Sequence, residues 1–333
     1  TVLRRTAETK PRRGVSTWLI GRPLPTADAP HQTIGKLIGL AVFSSDALSS
    51  VAYATQEMLV ILAIAGAASF GISIPLAIAI VFLLAILTLS YEQTIHAYPG
   101  GGGAYIVARD NLGEFPALVA ASALLTDYIL TVAVSISSSV AQIISAFPGI
   151  YEYRVLIAIA MILFVMLMNL RGVREAGTAF AIPTFFFVFL MYIMVIVGFV
   201  RLALGTLGVV EMAPMDFMHE VGNTGALSLF LILRAFSSGT TALTGVEAIS
   251  NGITAFKEPR SKNAGITLIW MALILGSLML SITILAHQVV ALPSEAETVI
   301  SQLARTIFDG RGVFYLMVIG ATMVILMMAA NTA

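Results

Sequence analysis

The chain has 333 residues, 58% of them hydrophobic and only 11% charged, with 18 Lys and Arg against 18 Asp and Glu; its mean hydropathy is +0.95. Soluble domains hold roughly 45–50% apolar and about 25% charged residues, so the composition excludes a soluble globular protein and places the chain in a lipid bilayer. No nucleic-acid partner is expected. The absence of cysteine excludes a disulfide scaffold and thiolate metal sites.

Residues 1–33 are polar and basic and contain no apolar core followed by a small-residue cleavage site, so they read as a tail preceding an uncleaved first span. Apolar runs of about 20 residues, each able to cross some 30 Å of hydrocarbon as a helix, then follow one another. The pattern predicts eight spans, near 34–62, 73–97, 115–147, 153–170, 177–204, 226–256, 263–291 and 312–333. The alternation that a membrane barrel requires is absent from them, so the expected fold is all-α.

Orientation follows from Lys and Arg, which are retained on the cytoplasmic side. With the N-terminus inside, thirteen of the eighteen fall in the tail or in inside loops: Arg4, Arg5, Lys10, Arg12, Arg13, Arg22, Lys36, Arg109, Arg171, Arg174, Lys257, Arg260 and Lys262. Arg154, Arg201, Arg305 and Arg311 fall outside, and Arg234 lies within the sixth span. The expectation is a multi-pass plasma-membrane protein with a cytoplasmic N-terminus.

A charge at mid-membrane costs at least about 2.5–3.5 kcal/mol on insertion scales. Three acids occupy such positions with no basic residue nearby in sequence: Asp46 in span 1, Asp127 in span 3 and Glu247 in span 6. Helical spacing puts Ser49, Ser50 and Tyr53 on the face of Asp46. In span 3, Asp127, Tyr128, Thr131, Ser135, Ser138 and Gln142 fall within an arc of about 100°. In span 6, Ser237, Thr240, Thr244, Glu247 and Asn251 form a similar stripe. A single Ser or Thr in a membrane helix commonly bonds back to its own carbonyls; the alignment of several with an acid points instead to a polar pathway.

Gly239 and Gly245, set among Ser and Thr, predict an interrupted sixth span, and the SSDALSS of span 1 is a weaker case of the same kind. Interrupted helices in corresponding positions of two halves mark a transporter site, because unwound backbone is tolerated only where it lines a cavity. Spans 1 and 6 lie five apart and so run in opposite directions, the geometry of a five-helix inverted repeat. The expected division is a tail over 1–33, a first half with spans 1–5 over 34–204, and an incomplete second half with spans 6–8 over 205–333.

The ligands on offer are carboxylate, hydroxyl, phenol and freed carbonyl oxygens, a set that suits hard cations. His31, His219, His96 and His287 are scattered without zinc spacing, and no calcium-binding loop is present. A permeating monovalent cation fits best. Desolvation favours the neutral form of a carboxylate, which makes Glu247, Asp127 and Asp46 candidates for carrying a coupled proton. No catalytic triad, metal motif or nucleotide loop appears, so neither enzyme activity nor a cofactor is expected. The run Gly100–Gly103 lacks the Lys-Ser/Thr of a phosphate loop and reads as a tight inside turn after Pro99.

Several stretches resemble the amino acid, polyamine and organocation transporter superfamily: YPGGGGAYIVARDNLG (98–113), NLRGVREAG (169–177) and LTGVEAISNG (243–252). FSSDALSSVAYATQE and TDYILTVAVSISSSVAQ are most similar to its bacterial potassium uptake proteins, relatives of the KUP transporters. The resemblance covers 33–333 and implies a LeuT-like fold with discontinuous spans 1 and 6 and potassium–proton symport. It implies potassium ligands at Asp46, Tyr53, Asp127, Tyr128, Thr131, Ser135, Thr244 and Glu247. It also implies further spans, one supplying a tyrosine, and a cytosolic C-terminal domain for homodimerisation and cyclic di-AMP binding; neither is in this sequence, which reads as truncated after span 8.

Two other readings stand beside this one. An amine or proton-coupled amino acid permease shares the fold, but amino acid carriers place a glycine-rich, anion-binding break where this chain has Asp46. A carboxylate there repels a carboxylate substrate and attracts a cation. The other reading is a non-transporting membrane scaffold or fragment.

Overall fold

The computed structural model describes residues 33–170, 176–210 and 227–332. Most of the predicted tail with His31, the Arg171 and Arg174 loop and the stretch bearing His219 lie outside the described residues. Among the described residues all regular elements are helical, apart from one isolated bridge. They are, in order, α1 (Lys36–Phe43), α2 (Ser45–Ser49), α3 (Ala54–Ala63), α4 (Ser73–Ala97), α5 (Gly103–Leu112), α6 (Glu114–Ala146), α7 (Arg154–Leu170), α8 (Ala176–Ala203), α9 (Leu229–Gly239), α10 (Ala248–Asn251), α11 (Arg260–Gln288), α12 (Val299–Ile307) and α13 (Val313–Thr332).

In hydrocarbon every backbone group needs an internal partner, which only helices supply over a single segment. Six of these helices are long and apolar enough to cross a membrane, seven if the bent first segment counts as one. The protein is a multi-pass membrane protein. The expected first span is α1 to α3, bent by 53° at Ser44, with a 3₁₀ turn over Ser50–Ala52. The expected sixth is broken further: α9 and a 3₁₀ turn (Thr240–Leu243), then an extended Thr244 and a left-handed Gly245 at φ 78°, then α10 and a 3₁₀ turn over Ile253–Ala255. No continuous helix of spanning length remains there.

The two broken segments are joined at one end. Ile34 N–H donates to the Ala255 carbonyl at 2.9 Å and Lys257 N–H to the Ile34 carbonyl at 2.9 Å. The start of the first segment therefore lies beside the end of the sixth, and the two run in opposite directions. Phe43 and Phe256 stack with centroids 5.3 Å apart; Gly39 and Gly252 make room, since a Cβ on either would strike the Phe256 or Phe43 ring.

Around this pair, α13 packs on α6, α2 and α8, α11 on α4, α9 on α3, and α1 on α8. Helices α11 and α13 are the most enclosed of the long helices, and α6 and α7 the least.

Two helices lie where loops were expected. Helix α5 occupies much of 98–113, and α12 fills the connection between α11 and α13. Although short, α12 is deeply buried. At its start the Thr298 hydroxyl accepts from Ser301 N–H at 3.2 Å and Gln56 Oε1 accepts from Val299 N–H at 3.0 Å, partners that orphan N-terminal donors require. At its end Arg201 donates to the Ile307 carbonyl at 2.7 Å. Arg305 holds the buried Glu297 carboxylate through two bonds of 3.1 Å.

Candidate functional site

The breaks of the two segments meet. Gly245 lies against the Asp46 side chain so closely that a Cβ on it would come within 2.7 Å of Asp46 Oδ2 and 2.8 Å of Ala47 N. A positive φ is readily adopted only by glycine, so the left-handed turn that interrupts the sixth segment also clears room for the carboxylate. Ser50 Oγ donates to the Ala242 carbonyl across the junction at 3.0 Å, and the Tyr53 phenol meets the Thr244 hydroxyl.

Most hydroxyls near the breaks serve the backbone. Ser49 donates to the Asp46 carbonyl at 2.7 Å and Ser50 also to that of Ala47. Thr240, Thr241 and Thr244 each donate to a carbonyl three residues earlier. They satisfy acceptors that the bends and 3₁₀ turns expose. The carboxylates are different: Asp46 Oδ1 and Glu247 Oε1 are buried without a hydrogen-bond partner, as is Ser135 Oγ. Among the described residues no Lys or Arg forms an ion pair with Asp46, Asp127 or Glu247.

Asp46, Tyr53, Thr131, Ser135 and Glu247 are buried, while Asp127, Tyr128 and Thr244 are partly exposed. Asp46 lies within electrostatic reach of Glu247 and Asp127. The three acids do not close on one point: among the described residues no group of three Asp, Glu or His is placed to hold a single metal ion. Tyr53 and Tyr128 lie within electrostatic reach of Asp46 and Asp127 as well.

Beside Asp46 a cavity of about 370 Å³ is lined also by Val42, Phe43, Tyr128, Asn251, Gly252 and Thr332. It lies on the side of the breaks where α1 begins and α10 ends. On the opposite side Gln142, at the far end of the predicted span-3 stripe, turns away from the acids and accepts from the Thr298 hydroxyl at 3.1 Å. The stripe thus divides between the cavity wall, where Tyr128 stands, and the seating of α12.

The sequence reading did not single out Phe43, Gly252 and Thr332 as cavity walls, or Glu57 as a further acid within the first segment. Glu57 lies four residues beyond Tyr53 in α3 and is partly exposed. Its alignment with Asp46 and Tyr53 at helical spacing was the available signal.

An enclosed bundle with two interrupted helices meeting at unpaired acids is the arrangement of a membrane transporter. The family model for amino acid permeases matches residues 40–333, and the chain belongs to that family. It is 48% identical over 318 residues to the potassium transporter KimA of Bacillus subtilis (strain 168), an alignment that takes in 96% of this chain and 52% of that protein. The chain thus spans about half the length of the relative it matches.

Proposed function

We propose that the chain is the ion-binding portion of a potassium importer that works by alternating access with a proton as co-substrate. Leu229–Ala255 then counts as one interrupted span, giving eight crossings in a LeuT-like arrangement whose halves are 34–204 and 205–333. The order of contacts supports that relation: Ile34 meets Phe256, Asp46 meets Gly245 and Ser50 meets Ala242, so one segment rises in number as the other falls. With the tail side cytoplasmic, as Lys and Arg placement predicts, the 370 Å³ cavity faces the cytoplasm. No enzymatic step, cofactor or nucleic acid enters this reading; the lipid bilayer is the surroundings, and homodimerisation would involve a domain outside this sequence.

The observation that carries the proposal is the Gly245 turn set against Asp46, with Asp46 Oδ1 and Glu247 Oε1 buried and unpaired. A dehydrated monovalent cation exchanges hydration oxygens for carboxylate, phenol, hydroxyl and carbonyl oxygens. Asp46, Tyr53, Asp127, Tyr128, Thr131, Ser135, Thr244 and Glu247 supply these along the path, and a proton on Glu247, Asp127 or Asp46 offsets like-charge repulsion between unoccupied acids. An amino acid would bring its own carboxylate to the break, where Asp46 repels it. The name of the relative agrees with the cation.

The test is complementation. The full-length gene should restore growth of cells deficient in potassium uptake at low external potassium, and Asp46→Asn should abolish this. Normal growth with Asp46→Asn would remove the site assignment. Specific uptake of an amino acid, with no response to potassium or rubidium, would replace the substrate.

A further inference from the structure

Asn251 lies where three parts of the chain meet. It ends α10, just past the break, and its side-chain amide donates to the Tyr128 hydroxyl on α6 at 2.9 Å. Its Oδ1 occupies the space that a Cβ on Gly103 would need, with Asn251 Cγ 3.1 Å from that point. Its backbone carbonyl lies 2.9 Å from where a Cβ on Gly101 would be. Both glycines have positive φ, 83° at Gly101 and 45° at Gly103, so the glycine run brings the 98–103 turn onto Asn251 as well as reversing the chain. Asn251 and Tyr128 also stand together in the cavity wall beside Asp46.

We infer that Asn251 is a positioning residue: it holds the Tyr128 phenol on the cavity wall and makes that position depend on the glycine-rich connection between α4 and α5. A phenol oxygen that accepts one N–H keeps lone-pair capacity for a cation, and the bond restrains rotation of the ring. A shift of the 98–103 turn moves Asn251, and through it an oxygen of the ion path. Gly100 provides an internal control, because a Cβ there meets nothing within 4 Å. The inference deepens the potassium reading and relies on it for the identity of the ion alone.

In the full-length protein, rubidium uptake should show Asn251→Ala raising KM about five-fold, as for loss of one neutral hydrogen bond, with a smaller change in maximal rate. Gly103→Ala should act in the same direction and Gly100→Ala should match wild type. In a Tyr128→Phe background neither Asn251→Ala nor Gly103→Ala should add to KM, since residues acting through one link are non-additive. Fully additive effects would overturn the inference.

A second measurement does not depend on the cargo. Hydrogen–deuterium exchange of 98–105 in the purified protein should rise in Asn251→Ala, and unchanged exchange would overturn the link. Raised exchange in a protein that carries no rubidium would support the link and remove the potassium reading.

Discussion

Gly245→Ala isolates the junction of the two breaks. The added methyl group would lie 2.7 Å from Asp46 Oδ2 and 2.8 Å from both Asp46 Cγ and Ala47 N. Relief requires the carboxylate to retreat from 2.7 Å to the 3.4 Å of ordinary van der Waals contact, a shift of about 0.7 Å, and, because Ala47 N belongs to the backbone of α2, the two segments to part by a similar amount. The left-handed conformation costs an L-residue roughly 1–2 kcal/mol in addition. Misplacement on the scale of 1 Å weakens a positioned group by up to about 100-fold, and a tenfold loss of affinity corresponds to about 1.4 kcal/mol. Rubidium uptake across graded concentrations should therefore show KM raised by about tenfold or more. Gly239→Ala is the control in the same segment: its Cβ meets the flexible end of Ile80 at 2.7 Å and its φ is an ordinary −68°. That variant should melt within a few degrees of wild type and transport normally. A Gly245→Ala protein with wild-type KM would refute the claim that the turn sets the carboxylate.

Glu297→Gln leaves Arg305 without its carboxylate partner; breaking a buried pair costs about 3–5 kcal/mol, and the partial exposure of Arg305 reduces the expectation to about 2–3 kcal/mol, readable as a lower melting temperature in detergent. Gly252→Val would drive the Phe43 ring from its stack on Phe256 and into the cavity that Phe43 and Gly252 share, so efflux of preloaded rubidium should slow, and overpacking of about 1–3 kcal/mol should lower the melting temperature as well.

The long apolar runs were legible because hydrocarbon leaves a spanning segment few options: 73–97 coincides with α4, and 115–147, 153–170 and 177–204 differ from α6, α7 and α8 by about a residue. The interruption at Gly245 was legible from glycines among hydroxyls. Helix α12 was not, since VISQLARTI is too short and polar to cross lipid and its helicity depends on Thr298, Gln56 and Arg201, partners distant in sequence or outside a hydropathy pattern. Helix α5 was hidden by the glycine run at its start. The stripes were legible as faces but not as destinations: Gln142 shares an arc with Asp127 and still turns to Thr298, because a helix as long as α6 meets different neighbours along one face.

The distribution of hydrogen bonds sets the acids at the breaks apart from the more numerous hydroxyls. Each bend or 3₁₀ turn strands carbonyls that water cannot reach, and a Ser or Thr three residues on is the local remedy, as at Ser49, Ser50, Thr240, Thr241 and Thr244. A hydroxyl that donates to its backbone keeps its lone pairs, so the same residues that stabilise the breaks retain acceptor capacity. Carboxylates cannot stabilise a carbonyl in this way when ionised, since they have no proton to give. Asp46 and Glu247 at these breaks therefore satisfy no stranded carbonyl; Glu247 accepts instead from backbone N–H groups at Gly245 and at its own residue. No Lys or Arg is paired to them among the described residues; in the proposed reading a proton or a cation in passage supplies the positive charge, and competition between the two at one carboxylate is a physical basis for coupling their movements.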